Sequence, residues 1–293
     1  MENKAVVFDI KEFAIYDGRG VRQTVFFKGC PLRCAWCHNP EGLSKKVELA
    51  VSASSCTDCG KCRSVCPSPN TWNKHFAKSE ECISCFKCTA ICPMGLRRQM
   101  GREYSVDELS QKILSKAEYY KRCNGGVTFS GGEPLLWYEF LCQLLDKLGD
   151  VHKAMESSGY AKKEAFESVI SRLDYVIMDI KCMDDSLHTK YTGVSNSRIL
   201  ENYKILRESR LPHTIRIPLI SGVSDSPENM ARTAKLLSGD QGLERVELLP
   251  YQKSAGAKYR MVGREYNPEF NRDGELFCSA EIFERHNVRC KVL

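Results

Sequence analysis

No stretch of about 18 consecutive apolar residues occurs in this 293-residue chain, which excludes a membrane-spanning helix of ordinary length. Its first residues, Met1-Glu2-Asn3-Lys4-Ala5, lack the basic start and apolar run of a signal peptide, so a cytoplasmic location is expected. Histidine is sparse. Apart from His38, only His75, His152, His188, His213 and His286 occur, scattered in no ligand pattern and read as structural or surface residues. A disulfide framework does not explain the sixteen cysteines, because such frameworks serve secreted domains under about 80 residues. The hydrophobic content of 42% allows a proper core, in one large domain or a large domain with a small insert. Cysteine is what the sequence has in excess, and its spacing carries the information.

Eleven of the cysteines fall into three sets. The first, Cys30-x3-Cys34-x2-Cys37, lies in Gly29-Cys30-Pro31-Leu32-Arg33-Cys34-Ala35-Trp36-Cys37-His38-Asn39-Pro40. The second, Cys56-x2-Cys59-x2-Cys62-x3-Cys66-Pro67, is repeated as Cys82-x2-Cys85-x2-Cys88-x3-Cys92-Pro93. The repeated runs match two-cluster bacterial ferredoxins, in which the fourth cysteine of each run ligates the other cluster. One [4Fe-4S] cluster is then expected on Cys56, Cys59, Cys62 and Cys92, and another on Cys82, Cys85, Cys88 and Cys66. The first set offers three thiolates to a third cubane, which leaves one iron open to an outside amine and carboxylate. The plain alternative is a zinc site completed by His38, but structural zinc favours paired spacings. Cys123, Cys142, Cys182, Cys278 and Cys290 match no ligand set and read as buried small hydrophobes.

The formal net charge of +6 counts every cysteine as neutral. Two closed clusters at about −2 each and an open one at about −1 bring the loaded protein to roughly +1. The basic balance therefore does not point to nucleic acid.

Outside the cysteine-rich stretch, strand and helix patterns alternate. Strands are expected at 21–28, 126–129, 153–156, 175–180, 214–219 and 245–249, short and apolar on both faces as in a covered parallel sheet. Helices are expected at 105–121, opened by a Ser105-x-x-Glu108 capping box, and at 135–148, 162–173, 198–209 and 227–237. Residues 261–276 read as an exposed polar loop before a last helix and strand. Six strand–helix units imply an α/β fold, a partial (β/α)6 barrel over residues 1–48 and 99–293. A ferredoxin-like two-cluster domain over residues 49–98 is inserted after the first strand and its loop.

Several long motifs in order resemble the radical S-adenosylmethionine superfamily and, within it, the activating enzymes of glycyl-radical enzymes. They are Asp17-Gly18-Arg19-Gly20-Val21-Arg22, the first cysteine loop with its Cys-His-Asn-Pro-Glu continuation, and Gly125-Gly126-Val127-Thr128-Phe129-Ser130-Gly131-Gly132-Glu133-Pro134. Met178-Asp179-Ile180-Lys181 and Glu247-Leu248-Leu249-Pro250-Tyr251 complete the series, so the resemblance covers nearly the whole chain. It implies that a cluster on Cys30, Cys34 and Cys37 reductively cleaves S-adenosylmethionine, and that the 5′-deoxyadenosyl radical takes a hydrogen from a glycine of a partner protein. No general acid or base is needed.

The resemblance further implies that Gly131 and Gly132 receive the methionyl amino group, and that Trp36, Cys37 and His38 flank the adenosine. Asp179, Ile180 and Lys181 would contact the cofactor, and Arg216 would lie near its carboxylate. Some family members also hold a monovalent cation, at positions that align with Glu156, Ser157, the Ile177 carbonyl and Asp179. The expected partners are a glycyl-radical enzyme as protein substrate and an electron donor such as flavodoxin or ferredoxin, met by a monomer in an anaerobic cytoplasm, with no membrane. Two positions depart from the family pattern: Arg19 replaces the proline of Asp-Gly-Pro-Gly, and Gln252 stands where histidine is common. The insert reads equally as an electron relay or as a docking surface. A radical S-adenosylmethionine enzyme acting on a peptide or small molecule is the competing reading, and a ferredoxin-like electron carrier a third, which leaves the first cysteine set unexplained.

Overall fold

In the computed structural model residues 3–68 and 82–293 are described, so His75 lies outside the described residues. The strands in chain order are β1 (Lys4–Ala14), β2 (Arg22–Phe27), β3 (Glu48–Val51), β4 (Arg97–Met100), β5 (Arg102–Ser105) and β6 (Gly126–Gly131). They continue as β7 (Lys153–Ser157), β8 (Tyr175–Asp179), β9 (His213–Leu219), β10 (Leu243–Pro250) and β11 (Cys290–Val292). Nine of them form one sheet in the order β11-β10-β9-β8-β7-β6-β2-β1-β5. From β2 through β6 to β11 every neighbouring pair is parallel, whereas β1 is antiparallel to both β2 and β5.

The six expected strands are thus present and sit side by side in chain order. The helices also form, with one break. The expected 105–121 helix divides into α3 (Val106–Leu114) and α4 (Ala117–Arg122). Its capping box is real: Ser105 Oγ accepts from the Glu108 N–H, and Glu108 accepts from the Ser105 N–H at 3.0 Å. Helices α5 (Tyr138–Lys147), α6 (Lys163–Ile170), α8 (Ser197–Ser209) and α9 (Pro227–Leu237) match their expected segments. The polar α7 (Asp185–Thr192), capped by Asp184, was not expected, and α10 (Ala280–Glu284) precedes β11.

Side chains along the strands alternate between two environments, which corrects the expectation of apolar faces on both sides. Val25, Phe27, Val127, Phe129, Met155, Val176, Met178, Ile215, Ile217, Val246 and Leu248 join helix residues such as Phe140, Leu141, Leu144 and Phe166 in the main core. Their period-2 neighbours Thr24, Thr128, Ser130, Glu156, Asp179, Arg216 and Glu247 carry polar groups on the opposite face. That face holds an ion and hydrogen-bond network, so it could not be apolar.

The sheet is curled toward its polar face. Arg19, in the β1–β2 turn, pairs with Glu244 at the start of β10 and lies 6.0 Å over the Tyr175 ring. Five strand steps separate β2 from β10, or about 24 Å in a flat sheet. Three residues from the start of β2 span at most about 11 Å, too little for an arginine to bridge the remainder unless the sheet bends.

Strands β3 and β4 form a separate antiparallel pair, with Val51 opposite Arg97 and Glu48 opposite Met100. The segment between them contains the short helices α1 (Lys61–Ser64) and α2 (Lys87–Ile91), which pack on each other. Asp58 and Gly60 have left-handed backbones (φ +54° and +72°), and so do Ser84 and Phe86 at the matching places in the second run (φ +54° and +57°). The sequence repeat is therefore a repeat of backbone path.

Candidate functional site

A cleft of about 430 Å³ opens at the C-terminal ends of the parallel strands. The first cysteine loop forms one wall. Backbone bonds tie it down at both ends: Gly29 donates to the Gly42 carbonyl at 2.7 Å, Arg33 to Thr192 at 2.7 Å and Ala35 to Tyr191 at 2.9 Å. Cys30, Cys34 and Cys37 all line the cleft, with Trp36 and His38 between and beside them. Trp36 packs with Ile220, Val223 and Phe270, and Phe270 meets Tyr251 edge-on at 5.1 Å. The 261–276 segment is consequently anchored by Val262 and Phe270, both buried, and is not the freely exposed loop its polarity suggests.

Burial pushes all three thiols up, Cys34 to about 12, against the pull of Lys181. Metal binding at these residues would therefore release protons. Lys181 bonds Asp179 at 2.8 Å. Burial opposes its charge, but Asp179 and, once ionised, Cys34 and Cys30 raise its pKa.

Gly131 and Gly132 line the cleft where β6 ends. A Cβ on Gly131, at φ +118°, would lie 2.3 Å from the Phe27 N, and one on Gly132 2.2 Å from the Gly29 carbonyl oxygen. The pair lets β6 lie backbone against backbone with the start of the cysteine loop. Beside it, Glu133 is fully buried. It accepts from Ser157 Oγ at 2.7 Å, from Ser158 N at 2.9 Å and Oγ at 2.5 Å, and from Leu135 N. Burial raises its pKa against these four donors. Glu133 thus fixes two serines of the cleft wall. Its position inside Ser-Gly-Gly-Glu-Pro was visible in sequence, but its partners were not.

Two expected residues stand outside the cleft. Ile180 is buried in the main core. Arg216 lies beneath the floor with all three nitrogens engaged: Nη1 on Glu156, Nε on Glu247 Oε2 at 2.9 Å, and Nη2 on the Tyr16 carbonyl. Of the expected cation positions, Glu156, Ser157 and Asp179 line the cleft, while Ile177 packs against Ala154 and Tyr175. Glu156 accepts from Ser130 Oγ at 2.6 Å as well as from Arg216. Burial works against its charge, but Arg216 and Ser130 hold its pKa below the usual range. Sequence reasoning missed Asn39, Ser130, Ser158 and Tyr251, which also line the cleft, and Gln252 joins them.

Between β3 and β4, Cys56, Cys59, Cys62 and Cys92 line one void together with Arg97 of β4. Cys92 of the second run therefore lies at the same void as three cysteines of the first. Cys82 and Cys88 pack with Phe86 against Leu49 and Val51, while Cys85 is exposed and Cys66 half-buried. Among the described residues no three of His, Cys, Asp or Glu approach closely enough to chelate a single ion. Cys56, Cys59, Cys62 and Cys92 around one void, and Cys30, Cys34 and Cys37 around the cleft, are donor sets that would fit a multi-iron cluster. Of the other cysteines, Cys182 is buried, Cys142 and Cys290 pack against the core, Cys123 is half-buried and Cys278 is exposed, contrary to expectation.

The family model of the radical SAM superfamily matches residues 24–234. The chain is 38% identical over 282 residues to the choline trimethylamine-lyase activating enzyme of Oleidesulfovibrio alaskensis, covering 92% of this chain and 91% of that protein. It is 37% identical to the 4-hydroxyphenylacetate decarboxylase activating enzyme of Clostridium scatologenes, covering 100% and 98%. It is 38% identical to the trans-4-hydroxy-L-proline dehydratase activating enzyme of Clostridioides difficile, covering 98% of each. Among the described residues no helix is long and apolar enough to cross a membrane.

Proposed function

The chain belongs to the radical S-adenosylmethionine superfamily and to its glycyl-radical-enzyme activases, and we propose that it takes a hydrogen atom from one glycine of a partner glycyl-radical enzyme. The observation that carries this reading is the convergence of Cys30, Cys34, Cys37, Gly131, Gly132, Asp179 and Lys181 on one cleft at the strand ends. A bound [4Fe-4S] cluster with S-adenosylmethionine would supply the reductively generated 5′-deoxyadenosyl radical.

The chain's own residues would bind and orient. Cys30, Cys34 and Cys37 would hold three irons of the cluster. The Gly131–Gly132 backbone would accept the methionyl amino group, with Ser157 and Ser158 fixed beside it by Glu133. The Asp179–Lys181 pair would offer one charge of each sign to the cofactor, and Trp36 and His38 would flank its adenosine. Trp36, Ile220 and Phe270 would keep water from the reacting carbon. Residues 1–48 and 99–293 would form a partial (β/α)6 barrel, and residues 49–98 an insert bearing two further clusters. The protein would work as a cytoplasmic monomer in an anaerobic cell, reduced by a flavodoxin or ferredoxin.

Similarity of 37–38% to activases named for a lyase, a decarboxylase and a dehydratase does not select the partner. The test uses anaerobically reconstituted protein reduced with dithionite. The expected result is about twelve irons per chain, 5′-deoxyadenosine formed from S-adenosylmethionine, and loss of that product in Cys34→Ala. Screening glycyl-radical enzymes by electron paramagnetic resonance then identifies the partner. About eight irons and no cleavage, despite a competent reductant, would overturn the reading.

A further inference from the structure

Charged side chains from three parts of the chain converge on the short turn Pro40–Gly42, which follows the first cysteine loop. Lys28, just past the end of β2, is fully buried. Its Nζ donates to the Glu41 carbonyl at 2.7 Å and to Glu48 Oε2 at 2.9 Å. Arg264 donates from Nη2 to Glu48 Oε1 at 2.9 Å and from Nη1 to the Pro40 carbonyl. Glu48, the first residue of β3 and only 7% exposed, is thus shared by two cations. Each cation also holds one of two successive carbonyls of the turn, so the four contacts close a ring. Lys258 adds a second grip, on Glu41 Oε1 at 2.9 Å.

The turn also meets the site. The Gly42 carbonyl accepts from the Gly29 N–H, where the cysteine loop begins. A Cβ on Gly42 would lie 3.0 Å from the Gly132 N, and one on Gly132 would lie 2.4 Å from the Gly42 carbonyl oxygen. The turn therefore lies backbone against backbone with the glycine pair of the cleft. Elsewhere it is loosely packed: Glu41 lines a cavity of about 370 Å³ with Asp9, Arg98 and Lys258, and its Oε2 has no hydrogen-bond partner among the described residues.

The cost of burying charges is offset only by a complete set of partners, so removing one member of such a ring leaves a buried charge uncompensated. Burial lowers the Lys28 pKa, and Glu48 is the main group opposing it. We propose that Glu48 is a positioning residue of the S-adenosylmethionine site. By joining Lys28 to Arg264 it fixes the Pro40–Gly42 turn against Gly132, so that the strand leading into the cysteine-rich segment helps build the cleft. This rests on the cofactor site proposed above.

The test uses the reconstituted full chain, with iron quantified first, in the parent, Glu48→Gln and Arg264→Met. Glu48→Gln keeps the shape of the carboxylate and loses its charge. The Arg264 side chain is 26% exposed, so Arg264→Met opens the ring at its wetter edge. Hydrogen exchange is followed by mass spectrometry in peptides over residues 39–45 and over β6 to β9. The expected result is full iron, exchange over 39–45 faster by about tenfold or more, and parental exchange in the strands. Electron paramagnetic resonance of the reduced chain, titrated with S-adenosylmethionine, should show the signal change displaced to higher concentration in both variants. Parental exchange over 39–45 overturns the proposal. So does exchange that quickens equally in the strands, the mark of a general loss of stability. Fast local exchange with an unshifted S-adenosylmethionine response also overturns it, because the turn would then not serve the site. If Glu48→Gln loses iron, Arg264→Met decides by the same two readouts. A parent that gives no response to S-adenosylmethionine overturns the proposed function, and this inference with it.

Discussion

The curled sheet and the segment between β3 and β4 place their cysteines by different physics. In the sheet, Cys30, Cys34 and Cys37 ride on a loop whose ends are bonded to α7 and to the Gly42 region, above a core that includes Phe27, Phe129, Phe140 and Phe166. That framework is specified by apolar burial and needs no ligand to stand. Around and between β3 and β4 the described residues have almost no core: Leu49 and Val51 are buried, and thiols with Phe86 complete the cluster. Its path turns on left-handed residues at Asp58, Ser84 and Phe86, a conformation that side-chain-bearing residues seldom adopt. Hydrophobic patterning writes the first region, and ligation would write the second.

Five measurements would break or sharpen that contrast. The largest effect is expected from Cys34→Ala: 5′-deoxyadenosine formation abolished, about four irons lost, and the insert clusters retained. Next, Cys92→Ala should remove about four irons and open residues 52–96 to proteolysis, while the thermal unfolding of the sheet stays put. Loss of signal from the Cys82 run alone would instead refute the crossed ligand set. Leu144→Ala should destabilise the sheet by about 2–5 kcal/mol in denaturant titration without changing iron content, because Leu144 is fully buried in the main core.

Acid should separate the regions differently. Burial pushes the Asp240 carboxyl up, but the His213 ring 3.2 Å away and the Tyr203 hydroxyl, which donates to it at 2.7 Å, hold it down to about 2. A carboxylate with a lowered folded-state pKa contributes stability above its unfolded value of 3.8, and loses it as pH falls toward 2. Asp240→Asn should therefore cost about 2 kcal/mol at neutral pH and nothing near pH 2, read from unfolding curves across that window. The smallest effect is expected from Ser105→Ala, about 1 kcal/mol from the lost cap of α3.

How much could be read beforehand follows the same division. The six parallel strands were legible because each sets apolar residues between helix patterns at a regular interval, and eleven of the cysteines stood out because their spacing marks them. Strand β1 was missed although Phe8-Asp9-Ile10-Lys11 alternates as an antiparallel strand with one solvated face should. Helix α7 was missed because Asp185–Thr192 has little apolar face, and its signal was the Asp184 cap. The split between α3 and α4 was hidden because the apolar spacing runs through it. Within the site, motif residues could be named but not their partners. The bonds of Arg216 to Glu156, Glu247 and Tyr16 could not be read from its motif, and Glu133 became informative only with Ser157 and Ser158 placed.

The β3–β4 pairing has a consequence for how such a chain could have grown. Because Val51 lies directly opposite Arg97, the polypeptide leaves the sheet domain and returns to it at one point, about 5 Å apart. To the rest of the molecule, the two ends of the 52–96 segment meet as the ends of a hairpin loop do. Closing a long loop costs only slightly more than closing a short one, so a redox module could enter here, or be excised and replaced by a two-residue Asn-Gly turn, without moving a strand of the sheet.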